Sequence, residues 1–135
     1  MDYSLTELNK FADERGFLIE FLKNSELDEE KLTFGQIYLA IISPDTIRGN
    51  HYHKTKDEYF AIMSGSVSVI LEDVPTGERV EFVMESTNEK ITRLRVGANV
   101  AHAIKNVSET DVVLCAYTDK EYDPDNLDQE DYQIT

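Results

Sequence analysis

The chain is short of several things, and each shortage narrows what it can be. It has one cysteine, Cys115, so no internal disulfide can form. The thiol sits in the apolar run "VVLCAYT", which reads as a buried side chain in a protein of a reducing compartment. No apolar stretch approaches the roughly eighteen residues a membrane helix needs, and no positively charged leader precedes an apolar run. The expectation is a cytoplasmic protein, neither exported nor inserted in a membrane. Bases are scarce: 13 Lys and Arg stand against 27 Asp and Glu, a net charge of −14. That argues against nucleic acid as a partner. There is no internal repeat, no low-complexity linker and no long helical periodicity, and 135 residues suit one domain with its own core.

The acidity is uneven. Residues 1–47 carry ten acids and four bases, and residues 106–135 carry nine acids and one base. Residues 48–105 carry eight of each, so the middle is neutral and has room for a local basic pocket that holds an anion.

What the chain does have is strand after strand. "FGQIYLAII" is rich in β-branched and aromatic residues and ends in the turn residues "SPDT". "EYFAIM", "SVSVILE", "RVEFVM", "KITRLRV", "AHAIKNV" and "DVVLCAYT" follow, with "DVPTGE" supplying a hairpin turn before "RVEFVM". This pattern predicts an all-β antiparallel sandwich or barrel, with its core over about 34–118 of the single domain 1–135. In the amino-terminal extension, "RGFLIEF" reads as a short strand and "SELDEEKL" as a helical turn or exposed loop. The acidic tail 119–135 reads either as disordered or, through Tyr122, Tyr132 and Ile134, as docked on the body or on a second subunit.

The chemistry concentrates in "RGNHYHKTKDEYFAIMSG", residues 48–65, which holds two of the three histidines. Residues two apart in a strand face the same side, so His51 and His53 point together. The polar "KTKD" turns the chain, and Glu58 then faces back toward them. The spacing H-x-H-x4-E-x6-G, from His51 to Gly65, resembles the first motif of the cupin superfamily. "GANVAHAIKN" is similar to the second, P-x-G-x2-H-x3-N: His102 and Asn106 match, while Gly97 stands at the proline position and Asn99 at the glycine position. Asn is the non-glycine residue that best tolerates positive φ.

The cupin resemblance implies an antiparallel double-stranded β-helix, the jelly-roll barrel. It also implies a three-His, one-carboxylate set of His51, His53, Glu58 and His102 for a divalent metal. Zinc, iron, nickel or manganese would suit these ligands. The flanks resemble nucleotide-sugar enzymes of the superfamily. "DERGFLIEF" is similar to the opening element of the dTDP-4-dehydrorhamnose 3,5-epimerase type. Arg48, Gly49, His51, His53 and Lys54 match the R-G-x-H-x-H-K of the sugar 3,4-ketoisomerases. "RGNHYH" looks like the cupin domain of bifunctional capsular polysaccharide enzymes. The resemblance runs from about residue 11 to 126.

It implies an isomerase or epimerase acting on a nucleotide-linked 4-keto-deoxysugar in surface polysaccharide biosynthesis, working as a homodimer. Proton abstraction beside a ketone needs a base near neutral pKa and a positive charge for the enolate. His51 and His53 are candidates for the base and its partner, and Arg48 for the charge on enolate or diphosphate. Lys54, Lys56, Arg93 and Arg95 are further anion candidates. If His51 holds a metal, the base comes from elsewhere, with Tyr38, Tyr59 and Tyr117 in view. Two other readings stand beside this one: a metal-dependent oxygenase resting on the His and Glu set alone, and a non-catalytic sugar-binding module.

Overall fold

The computed structural model describes residues 1–31, 33–86 and 89–135. Its strands are β1 (Tyr3–Asn9), β2 (Phe11–Asp13), β3 (Gly16–Leu18), β4 (Gln36–Ile42), β5 (Ile47–Tyr52), β6 (Glu58–Ile62), β7 (Ser66–Asp73), β8 (Arg79–Glu85), β9 (Lys90–Val96), β10 (Val100–Asn106), β11 (Val112–Thr118) and β12 (Glu130–Asp131). Two 3-10 turns, Asn24–Glu26 and Glu29–Lys31, stand where "SELDEEKL" suggested a helical turn or loop. The last residue of that stretch, Leu32, lies outside the described residues.

The strands form two five-stranded antiparallel sheets, β1-β9-β6-β11-β4 and β12-β5-β10-β7-β8, with β2 and β3 as a separate hairpin. This is the all-β antiparallel architecture the strand pattern predicts, in the jelly-roll form that the cupin resemblance implies. Period-two alternation decides what lies between the sheets: in β7, Val67, Val69 and Leu71 are buried while Ser68 and Ile70 face the other way. Ile42, Phe60, Ile62, Leu94, Val96, Val100, Val112 and Leu114 complete the core. Each such side chain contributes on the order of 1.5–3 kcal/mol when fully buried. No helix of the described residues is long and apolar enough to cross a membrane.

Two features differ from the sequence expectations, and a third decides between the two readings of the tail. The barrel begins before residue 34, because β1 pairs with β9 in continuous register from Tyr3↔Val96 to Asn9↔Lys90. Its pattern is hard to read because it is an edge strand, with Leu8 its one buried residue. The tail is docked, since β12 lies along β5. Cys115 is only partly buried, because Leu114 and Ala116 on either side of it take the core-facing positions. Burial still pushes its thiol pKa up.

Asn106, from the second motif, is fully buried. Its amide donates to the carbonyls of Ile42 and Thr110, both at 2.8 Å, and its Oδ1 accepts from the Ser108 N–H at 2.7 Å. It ties the end of β10 to the end of β4, a structural role. Asn99 has φ 62°, the conformation that its place in the motif requires.

Candidate active site

The site is built on a fault in the β5–β10 ladder. His51 pairs with His102, but the next pair is Gly49 with Ala103, so Asn50 is an extra residue in β5. Gly49 and Asn50 take φ 110° and 58°. Glycine is required at 49: a Cβ there would stand 2.4 Å from the His102 carbonyl oxygen. The bulge thus lets β5 lie close against β10 and turns the His51 ring onto the His102 ring, with centroids 4.8 Å apart and planes at 90°.

His53 follows the last residue of β5, and its ring lies 5.2 Å from that of His51. Residues 54–57 then carry the chain to the other sheet, where Glu58 opens β6. Glu58 Oε1 stands 3.0 Å from His53 Nε2 and 3.8 Å from His102 Nε2. The structure therefore brings together all four ligand candidates. His51, His53 and Glu58 form the tight group, with ligand atoms within 4.8 Å of one another. His102 sits beside them, with the Phe60 ring 5.4 Å away.

Electrostatics sorts these groups. Burial, and then the neighbouring His102, push the His51 imidazole down to about 4, so it is neutral at neutral pH. Burial also holds His102 below its ordinary value. For His53, burial pulls down, but contact with the Glu58 carboxylate outweighs it and the pKa is raised. Glu58 is the reverse case: burial pushes it up, yet His53 and the other imidazoles hold it below its ordinary value. Oε1 of Glu58 and Nδ1 of His102 are buried with no well-aligned hydrogen bond. An unsatisfied carboxylate oxygen facing imidazole nitrogens is a donor set that fits a divalent cation.

His51 and His102 face a cavity of about 730 Å³ whose wall also includes Tyr38, Ile41, Arg48 and Ile104, while His53 and Glu58 lie behind that wall. Tyr38 is bonded to Glu58, and burial beside that carboxylate raises its hydroxyl pKa well above the ordinary range. Arg48 lies at the rim, where its Nε and Nη2 both donate to the Ile41 carbonyl at 3.2 Å.

Other candidates lie elsewhere. Arg93 and Arg95 do share one strand face, but it is the outer face of the first sheet, because Leu94 and Val96 point inward. Arg93 bonds the Phe21 carbonyl at 2.8 Å and Glu26 at 2.9 Å, and Arg95 bonds Asp2 at 2.7 Å and Asp57 at 3.0 Å. Neither lines the cavity. Tyr59 and Tyr117 meet on that same outer face, their rings tilted at 48° and 6.3 Å apart, which leaves Tyr38 as the candidate tyrosine at the site. Lys54 is paired with Glu130 at 3.0 Å. Sequence reasoning missed Asp128, whose backbone carbonyl accepts a hydrogen bond from His53 Nδ1. No motif or spacing links the two positions.

Known proteins agree with this architecture. The chain is 29% identical over 130 residues to the spore coat polysaccharide biosynthesis protein SpsL of Bacillus subtilis, covering 91% of this chain and 82% of that one. It is 26% identical to the capsular polysaccharide assembling protein CapF of Staphylococcus aureus, with a TM-score of 0.68, and covers 94% of this chain but 34% of that one. The chain thus spans about a third of CapF. The fold alone is shared with QdtA, a sugar 3,4-ketoisomerase from Thermoanaerobacterium thermosaccharolyticum solved with TDP, at 21% identity and a TM-score of 0.73, over 95% of this chain and 86% of that one. Residues 11–130 match the family model of the polysaccharide biosynthesis C-terminal domain, and the chain belongs to that family.

Proposed function

We propose that the protein is an isomerase that epimerises or ketoisomerises a nucleotide-linked 4-keto-deoxysugar in surface polysaccharide biosynthesis. The observation that carries the reading is His51: an imidazole kept neutral at the wall of a cavity that also has Arg48 and Tyr38 on its wall. The kinship with SpsL and CapF supports the pathway, and the fold shared with a sugar ketoisomerase supports the reaction class.

The ketone acidifies the adjacent C–H. His51 takes that proton, the C–H electron pair moves into a carbon–carbon double bond, and the carbonyl oxygen becomes the enolate oxygen. Return of a proton to the other face of the same carbon inverts it. Return to the neighbouring carbon, with a hydroxyl proton shifted, moves the ketone. His53, paired with Glu58, holds the wall against which His51 packs. Arg48 is a fixed charge at the rim, and the neutral Ile41 carbonyl it holds is an acceptor that a diphosphate outcompetes. Tyr38, which stays protonated, can donate to the enolate oxygen by turning its hydroxyl from Glu58. His51, His53 and Glu58, with His102 beside them, would alternatively hold a divalent metal, which would supply a Lewis acid for the ketone oxygen, and with it bound the base would be a group other than His51.

The reading includes a cytoplasmic location and a homodimer. Ile37, Leu39 and Ile41, all exposed on the edge strand β4, form an apolar stripe that supports pairing with a second copy.

The test is incubation with dTDP- or UDP-4-keto-6-deoxyhexoses in deuterated water. Deuterium is expected at C3 or C5, or at C4 where the ketone has moved, and His51→Gln should slow its entry on the order of 10²–10⁴-fold. No deuterium with any of several such sugars overturns the isomerase. Oxygen consumption in its place would point to an oxygenase, and tight binding without exchange to a non-catalytic module.

A further inference from the structure

The acidic tail is bonded to the strand and loop that carry the site. β12 pairs Glu130 with Tyr52 and Asp131 with His51, so tail backbone runs beside the HxH segment itself. Farther along, the Tyr132 N–H donates to the Asn50 carbonyl at 2.8 Å, and the Ile134 N–H donates to Asn50 Oδ1 at 3.0 Å. Asn50 is the extra residue of the bulge, so the tail grips β5 at the point where its register is decided. The Tyr132 and Tyr52 rings meet edge to face at 5.8 Å.

Asp128 makes the closest approach to the chemistry. Its carbonyl accepts from His53 Nδ1. Its carboxylate turns to the loop that follows: Oδ1 accepts from the Lys54 N–H at 2.7 Å, and Oδ2 accepts from the Thr55 N–H at 2.9 Å and the Thr55 hydroxyl at 2.6 Å. These bonds outweigh burial and keep the carboxyl below its ordinary pKa. Covering a sheet edge would need only the β12 ladder. The Asp128 contacts do something else. His53 lies one residue past the last ladder pair of β5, so the ladder does not orient its ring. A carbonyl can only accept, so Nδ1 donates to it, while Nε2 is turned to the Glu58 carboxylate 3.0 Å away, also an acceptor. The ring is thus held at both nitrogens, and Asp128 supplies the hold on the side away from Glu58. A second partner that fixes the ring's orientation is how imidazoles are made ready at catalytic and metal sites.

We infer that Asp128 is a positioning residue of the active site: its carbonyl fixes the orientation of the His53 ring, and its carboxylate pins the loop between His53 and Glu58, so that segment 128–134 straps the site together. The inference rests on the reading of His53 as part of that site, but its test needs no substrate.

The chain has three histidines, so ring-nitrogen correlation spectra of the full-length protein labelled with ¹⁵N-histidine are simple to read. In the native protein the His53 Nδ1 proton, bonded to the Asp128 carbonyl, should give a sharp, slowly exchanging resonance. In Asp128→Ala that resonance should broaden or vanish through exchange with water, while His102 keeps its signals and reports an intact barrel. Asp128→Asn, which keeps an acceptor for the loop, should restore most of the native pattern. On an exchanging substrate, Asp128→Ala should lower kcat on the order of tenfold with KM little changed. If Asp128→Ala does not fold, Asp128→Gly, which also lacks the side-chain acceptor, carries the same test. A native His53 Nδ1 proton signal in a folded Ala or Gly variant overturns the inference. Loss of that signal upholds it even if no sugar exchanges deuterium, an outcome that would count only against the isomerase reading.

Discussion

Replacing Gly49 with alanine tests whether the bulge builds the site. Two costs can be separated. The first is backbone strain: Gly49 has φ 110°, and an L-residue in that half of the map costs about 1–2 kcal/mol. The second is steric. The new Cβ would stand 2.4 Å from the His102 carbonyl oxygen, and that oxygen is backbone, so no side chain can swing away. Ordinary contact is more than half an ångström longer, so β5 and β10 must part or twist. Gly77 is the control. It has φ 75° in the exposed β7–β8 turn, with nothing within 4 Å of its added Cβ. Gly77→Ala should cost only the strain, about 1 kcal/mol. Gly49→Ala should cost about 2–4 kcal/mol, strain plus a share like that of an overpacked core. Urea unfolding gives both free energies, and the difference between them is the clash. The effect on function should exceed the effect on stability. His51 and His102 are cross-strand partners at the fault, and displacing a catalytic group by about 1 Å can cost on the order of 100-fold in rate. Equal stability losses at the two glycines, with deuterium exchange intact in Gly49→Ala, would refute the bulge as the device that sets the site.

Two further outcomes follow from the charges. The folded His51 takes its proton near pH 4, whereas an unfolded histidine does so near 6.5, so its contribution to stability is whole above 6.5 and is lost as pH falls toward 4. In the same way, the acid limb of kcat/KM for deuterium exchange should lie near 4, and a limb near 6.5 would remove His51 as the base. Arg93→Met should destabilise the fold by about 1–3 kcal/mol, because it leaves the Phe21 carbonyl and Glu26 without their partner. It should leave the exchange rate of the folded protein unchanged, and a lowered rate at full stability would return Arg93 to the list of substrate contacts.

Much of the architecture can be read locally. The alternation in β7 and the turn residues of "DVPTGE" act within a few residues of themselves, through side-chain period and allowed φ and ψ. They are visible in sequence for that reason. β1 was harder, because an edge strand exposed on most of its length has little apolar alternation to show. Arg93 and Arg95 illustrate a different limit: the period puts them on one face, but nothing local says whether that face is cavity or exterior. The answer came from Leu94 and Val96, which the other sheet buries.

The sequence by itself determined that the protein is an all-β domain with His51 and His53 side by side and Glu58 within reach, because strand period and short spacing are properties of the local chain. Tertiary structure alone decided the rest. The Gly49–Asn50 bulge exists only where β5 meets β10, and it is that meeting which opposes His51 to His102. Arg48 reaches a carbonyl of β4 only because the two sheets face each other, and Tyr38 joins Glu58 only because β4 and β6 flank β11 in one sheet. His53 takes its orientation from a main-chain carbonyl 75 residues away. Every residue has a carbonyl, so no sequence pattern can mark the one that matters; only the folded chain brings it to the ring.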